Sequence, residues 1–135
     1  MKKNLVLSFI AIVMTATILY SCKKTVRGCT DPTSLTYNSK ANEDDGTCQY
    51  KGKVVFWNDV ASSLGIVVVV MADGTSGNIT IDASSAPSCG ESGCFTYEAK
   101  PGTYSFQAAE SSPGTKTWSG SVTITSKGCQ TMRLY

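Results

Sequence analysis

The stretch FTYEAKPGTYSFQAA, residues 95–109, decides the fold class of this chain. Apolar and polar residues alternate on both sides of Pro101, and this two-residue period is typical of strands with one buried face. The apolar positions are Phe95, Tyr97 and Ala99 before the proline and Tyr104, Phe106 and Ala108 after it. Pro101 and Gly102 are turn residues. We therefore predict two strands joined as a hairpin.

The same kind of pattern extends from residue 51 to residue 135. Segments rich in β-branched and aromatic residues alternate with turn signals, and no apolar period of 3.6 residues predicts a helix. The predicted strands are residues 53–58, 65–72, 78–83, 94–99, 103–110, 117–125 and 129–135. Gly120 predicts a bulge in the sixth of them. This spacing predicts an all-β domain, a seven-stranded antiparallel β-sandwich.

The predicted hairpin and the segment TWSGSVTITSKGCQTMRL, residues 117–134, carry a resemblance to known domains. They resemble the prealbumin-like β-sandwich modules of bacterial surface proteins, which are similar to carboxypeptidase regulatory-like domains. The resemblance covers residues 51–135. It implies a structural or binding module that does not catalyse a reaction.

The N-terminal segment predicts export. Lys2 and Lys3 precede an apolar run at residues 5–19, which is the pattern of a cleaved signal peptide covering residues 1–21. The run is shorter than the roughly 20 residues that a membrane-spanning helix needs. LYSC, residues 19–22, resembles the lipobox of bacterial lipoproteins. The resemblance implies that Cys22 is acylated and that residues 22–28 form a lipidated tether to membrane lipid. Lys23 and Lys24 follow Cys22, so the Asp that retains some bacterial lipoproteins in the inner membrane is missing. We therefore expect the bacterial outer membrane, and both of its faces remain alternatives.

Besides Cys22, five cysteines follow the signal peptide, namely Cys29, Cys48, Cys89, Cys94 and Cys129. An exported chain folds in an oxidising compartment, so disulfides are expected. Cys29 and Cys48 bracket a polar segment and form one expected pair. For the others we expect Cys89–Cys129, while Cys94–Cys129 and Cys89–Cys94 remain alternatives. The cysteine that is left over is then a free thiol.

The segment GCTDPTSLTYNSKANEDDGTC, residues 28–48, has few apolar residues and therefore needs a covalent staple. Closing its loop with a disulfide contributes roughly 3 kcal/mol. The segment resembles a short cysteine-bracketed motif of Gram-negative surface proteins, which implies a small irregular module at residues 29–48 without an activity of its own.

The oxygen donors of this module suit calcium. They are Asp31, Asn38, Asn42, Asp44 and Asp45. The alternative is that these side chains form Asx turns with the nearby backbone and that the protein binds no cofactor.

The amino-acid composition limits the classes of function that we expect for this chain. Removing Lys2 and Lys3 leaves 10 of the 12 basic residues against 10 acidic ones, so we expect no nucleic-acid partner. The chain has no histidine, so the usual Ser-His-Asp and Cys-His sites are absent and we expect no enzyme. Trp57 and Trp118 are candidates for stacking on a sugar, with a place in the core as the alternative.

These observations predict a non-catalytic, lipid-anchored envelope or cell-surface protein. Its β-sandwich is expected to have a structural, display or adhesion role. The alternative is a glycan- or calcium-binding accessory lipoprotein of an uptake or surface system. The expected partners are membrane lipid and a surface glycan or protein.

Overall fold

The structure is a computed structural model that describes residues 23–59, 65–111 and 116–135. The predicted signal peptide and the predicted acylation site, Cys22, lie outside these residues. The described residues form eight β-strands: β1 Gly52–Asp59, β2 Val67–Met71, β3 Ser76–Ile79, β4 Asp82–Ala83, β5 Phe95–Ala99, β6 Gly102–Glu110, β7 Thr117–Ile124 and β8 Cys129–Leu134. No helix in the described ranges is long and apolar enough to cross a membrane.

The strands form two four-stranded sheets that pack face to face. In sheet A, β1 pairs with β8 on one side. On its other side β1 pairs first with β5 and then, at its C-terminal end, with the short β4. Sheet B has the order β3-β2-β6-β7. Phe56 of sheet A contacts the ring of Phe106 of sheet B across the core, with ring centres 4.9 Å apart. The predicted all-β sandwich is confirmed.

The eighth strand arises because the predicted strand 78–83 divides between the sheets. Its first half belongs to β3, where Ile79 is fully buried against the core. Its second half is β4, which pairs with the end of β1 in sheet A. Apolar periodicity does not mark this change of sheet, because both halves are short and rich in β-branched residues.

The predicted hairpin at residues 95–109 is wrong. β5 pairs with β1, whereas β6 pairs with β2 and β7, so the turn at Pro101 carries the chain from sheet A to sheet B. The apolar face of each strand was predicted correctly, since Phe95, Tyr97, Phe106 and Ala108 are all buried. Tyr97 and Tyr104 meet edge to face across the core, with ring centres 5.5 Å apart.

Two strand pairs of sheet A are parallel, where the sequence predicted antiparallel pairing throughout. β1 runs parallel to both β8 and β4. β8 has this direction because the chain changes sheets after β7 and enters sheet A beside the start of β1, where the Lys53 N–H donates to the Gly128 carbonyl over 2.8 Å.

The predicted bulge at Gly120 is also wrong. β6 and β7 pair without interruption from Gly102↔Ile124 to Ala109↔Thr117. Gly120 lies opposite Phe106, and a Cβ atom there would come within 3.2 Å of the Phe106 ring. The glycine therefore makes room for an aromatic ring of the core.

β1 is buried on both faces. Val54 and Phe56 point into the core, whereas Val55 points to the outer face of sheet A and is still fully buried. The Cys89–Cys129 disulfide ties the loop before β5 to β8 on one side of β1. On the other side, the Gly90 N–H donates to Thr96 Oγ1 over 2.8 Å. The loop thus crosses β1 and covers Val55.

Candidate functional site

The polar segment at the N-terminus is a compact module closed by a Cys29–Cys48 disulfide. It begins earlier than the sequence predicted, because part of the expected tether is hydrogen-bonded into it. The Asn42 side chain accepts from the Val26 N–H over 3.0 Å and donates to the Lys24 carbonyl over 3.1 Å. Arg27 forms an ion pair with Glu43 at 2.7 Å. Within the part of the chain that the structure describes, these contacts include Lys24 near its N-terminal end.

Side-chain oxygens of all five predicted calcium ligands accept hydrogen bonds within the module. Four of them bond the backbone two residues further on: Asp31 to Thr33, Asn38 to Lys40, Asp44 to Gly46 and Asp45 to Thr47. The fifth, Asn42, bonds Val26. Within the described ranges, no group of three or more His, Cys, Asp or Glu side chains is placed to hold a metal ion. The structure thus uses four of these residues in Asx turns, and calcium binding stays a prediction.

The module is joined to the sandwich by Tyr50. Its hydroxyl donates to Asp31 Oδ2 over 2.5 Å, and its N–H donates to Ser126 Oγ over 3.1 Å. The ammonium group of Lys127 lies 3.6 Å from the centre of the Tyr50 ring. We call these four residues the joint. Sequence reasoning missed it because Ser126 and Lys127 lie in the turn before β8, far from Tyr50 along the chain.

The joint changes the acid–base properties of its members. The hydrogen bond from Tyr50, with those from Thr33 and the charge of Lys127, lowers the pKa of Asp31 from 3.8 to about 2. The same bond to Asp31 raises the pKa of Tyr50 above its usual 10.0. Both shifts favour the ionised carboxylate and the neutral phenol, which is the state that forms this contact.

The two tryptophans lie on different sheets. Trp57 is on the outer face of sheet A, is only 7% exposed, and has the Arg133 guanidinium 5.7 Å from its ring centre. Arg133 in turn pairs with Asp59. Trp118 is half-buried on the inner face of β7 and donates from Nε1 to the Tyr135 carbonyl over 2.9 Å. The structure does not bring these rings together on one surface.

The outer face of sheet B is a surface that sequence reasoning missed. Its outward residues are uncharged: Ser76, Asn78, Val68, Val70, Thr103, Ser105, Gln107, Ala109, Thr117, Ser119, Ser121 and Thr123. Val70 is 43% exposed. Two shallow depressions of about 470 and 450 Å³ lie on this face, beside Gln107 and Ser119. The sequence could have indicated this surface, because the polar residues that alternate with the apolar ones in these strands are uncharged.

Cys94 is the free cysteine of the described residues. Burial, and then the charge of Glu91, raise the pKa of its thiol above the usual 9.0. Because the thiolate is the reactive form, this thiol is a weak nucleophile near neutral pH. The two disulfides are the pairings that the sequence analysis favoured.

No protein-family model, curated protein sequence or solved structure matches this chain. Three resemblances therefore rest on the motif residues alone: those to the prealbumin-like sandwich, the lipobox and the cysteine-bracketed motif.

Proposed function

We propose that this protein is a non-catalytic, lipid-anchored protein of the bacterial outer membrane, which presents its β-sandwich close to the membrane. The observation that carries the proposal is that Lys24, two residues after the lipobox cysteine, is hydrogen-bonded to Asn42 of the module. An acylated Cys22 would therefore place the module against the lipid headgroups. Lys23 and Lys24 are exposed there, where anionic lipids attract basic side chains.

The joint supports a structural or display role. A flexible linker between anchor and domain would leave the sandwich free to turn. Here Tyr50 makes contacts in both the module and the turn before β8. The module and the sandwich then form one connected unit, so an acylated Cys22 would give the sandwich a defined orientation for a structural or adhesive contact.

A non-catalytic role is supported by the available side chains. The chain has no histidine, and the pKa of the Cys94 thiol is raised by burial. The carboxylates of Asp31, Asp45 and Asp73 have lowered pKa values because they accept hydrogen bonds. A general acid or base near neutral pH would need the opposite shift.

The test is acylation of the full chain in its own cell envelope. We expect mass spectrometry to find the mature N-terminus at Cys22 with a diacylglycerol thioether and an N-acyl group. Cys22→Ser should abolish acylation and release the protein from the membrane fraction. The matched control, Cys94→Ser, should leave both unchanged. Membrane association of Cys22→Ser equal to that of the parent would contradict the proposal. For the acylated parent, protease treatment of intact cells would decide which face of the membrane carries the sandwich.

A glycan-binding accessory role is the second candidate. The uncharged outer face of sheet B favours it, because hydroxyl and amide groups around two shallow depressions suit a neutral glycan. Gln107→Ala should then weaken binding in a glycan screen, while Thr131→Ala on sheet A should not. Because Trp57 is buried, we expect Trp57→Ala to destabilise the fold. Equal binding by the Gln107 and Thr131 variants would argue against this role.

A further inference from the structure

We propose that strand β7 is an interaction edge for a second copy of this chain, with the two β7 strands pairing antiparallel. The proposed contact involves described residues alone and is independent of the lipid anchor. β7 is the outermost strand of sheet B and pairs on one side, with β6. Such a strand presents unpaired backbone groups that are a template for another strand.

The hydrogen bonds show which groups of β7 point outward. The Glu110 N–H donates to the Lys116 carbonyl over 3.1 Å, so these opposite residues form a hydrogen-bonded pair. Hydrogen-bonded and non-hydrogen-bonded pairs alternate along an antiparallel ladder. Residues 118, 120, 122 and 124 therefore bond β6. The backbone groups of Thr117, Ser119, Ser121 and Thr123 point to the free edge.

One part of this edge is already covered. The Gln130 amide, oriented so that its nitrogen donates, bonds the Thr123 carbonyl over 3.1 Å. No other described residue bonds the outward backbone groups of Thr117, Ser119 or Ser121. All three residues are exposed. The open segment thus runs from Thr117 to Ser121.

β7 lacks the devices that protect the other edges. Natural edge strands carry charged residues, prolines or bulges, or are very short. β8 contains Arg133, and β5 contains Glu98, which forms an ion pair with Lys53. β3 and β4 have four and two residues. β7 has eight residues, none charged and none a proline, in an uninterrupted ladder.

The open segment is self-complementary, which is why we name a second copy as the occupant. A two-fold axis at Ser119 places Ser119 opposite Ser119 and Thr117 opposite Ser121, so outward backbone groups meet outward backbone groups. On the inner face the same axis places Trp118 opposite Gly120, so two large side chains do not face each other there. No like charges face each other within the segment.

The experiment is cysteine cross-linking in cells that express the full chain, in a Cys94→Ser background. Cα atoms of a hydrogen-bonded antiparallel pair are about 5.5 Å apart, which is within disulfide range. We expect Ser119→Cys to give a dimer that reducing agent dissolves. The control is Ser105→Cys, which is also exposed and lies on β6. Its two copies would be separated by at least three strand spacings, or about 14 Å, which is too far.

A second measurement uses no new cysteine. Light scattering of the full chain in mild detergent should give a dimer mass for the parent and for Ser105→Lys, and a monomer mass for Ser119→Lys. In the last variant, two ammonium groups would face each other at the axis. A monomeric parent, equal cross-linking at 119 and 105, or equal loss of dimer in both lysine variants would overturn the proposal. Cross-linking of Ser119→Cys to a different protein alone would also overturn it.

Discussion

The phenolic hydroxyl of Tyr50 donates a 2.5 Å hydrogen bond to Oδ2 of Asp31, and this contact lies where the module meets the sandwich. Asp31 belongs to the disulfide-closed module, and Tyr50 is two residues before β1. The Lys127 ammonium group lies over the Tyr50 ring, so that one aromatic side chain connects both parts of the protein. The strength of this connection depends on the ionisation of Asp31.

The pKa of Asp31 tests the joint. Tyr50→Phe keeps the ring under Lys127 but removes the largest cause of the lowered pKa. We expect the pKa of Asp31 to rise from about 2 toward 3.8 in a carboxyl NMR titration. Tyr37→Phe, with an exposed ring in the same module, is the control and should leave that pKa unchanged. A pKa that stays near 2 in Tyr50→Phe would show that the joint does not form.

The joint also makes the stability of the fold depend on pH in the acidic range. The folded-state pKa of Asp31 is below the ordinary value, so its contribution to stability is present above pH 3.8 and is lost as the pH falls toward about 2. We expect the melting temperature of the parent to fall in this window more steeply than that of Tyr50→Phe. Parallel curves for the two proteins would contradict this expectation.

A second tyrosine, Tyr97, makes the stability of the fold depend on pH in the alkaline range. Burial, followed by the 2.9 Å hydrogen bond to Asp73 and its charge, raises the pKa of Tyr97 to about 12. Its contribution to stability is therefore present below pH 10.0 and is lost as the pH rises through about 12. Ultraviolet titration of tyrosinate should show this late transition. Asp73→Asn should lower the pKa only in part, because burial remains, while Glu98→Gln should not change it.

The Cys89–Cys129 disulfide should stabilise the sandwich strongly. It joins residues 40 apart in the sequence and fastens the loop that covers Val55. Losing a closed loop of this length costs about 4 kcal/mol in unfolding free energy by the chain-entropy estimate. Chemical denaturation should compare Cys89→Ala/Cys94→Ala with Cys94→Ala, so that Cys94 cannot form a replacement bond. A difference below about 1 kcal/mol would argue against this role.

Gly77 should not tolerate a side chain. A Cβ atom there would overlap the ring of Phe95, which packs against β3 from the opposite sheet. We expect Gly77→Ala to lower the free energy of unfolding by about 1–3 kcal/mol, because overpacking moves neighbouring core side chains. The adjacent Ser76→Ala is exposed and should be close to neutral. Equal effects of the two substitutions in denaturant titrations would contradict this placement of Phe95.

Calcium should leave the module unchanged. Each oxygen-donor residue predicted as a ligand already accepts a hydrogen bond within the module, and four of these bonds form Asx turns. We expect the melting temperature to be the same in excess calcium and in chelator. A rise in melting temperature with calcium that disappears in Asp45→Asn would reverse this expectation and favour the accessory role.

Sequence reasoning identified the local features because they depend on near neighbours. The alternation in residues 95–109 marked which side chains of β5 and β6 are buried, and the Asx turns follow from residues two positions apart. Residue types also limited the chemistry, since a chain without histidine lacks the commonest acid–base group. Strand patterns therefore predicted an all-β sandwich before any contact was known.

Tertiary structure decided how the strands are partnered. β5 and β6 have the same alternation, and a two-residue period does not tell a strand which neighbour it pairs with or which sheet it joins. Three features join residues that are distant in sequence or lie in different sheets. They are the crossing at Pro101, the parallel pairing of β8 with β1, and the contact of Tyr50 with Lys127. Such contacts depend on the packing of the whole core, which no local pattern encodes.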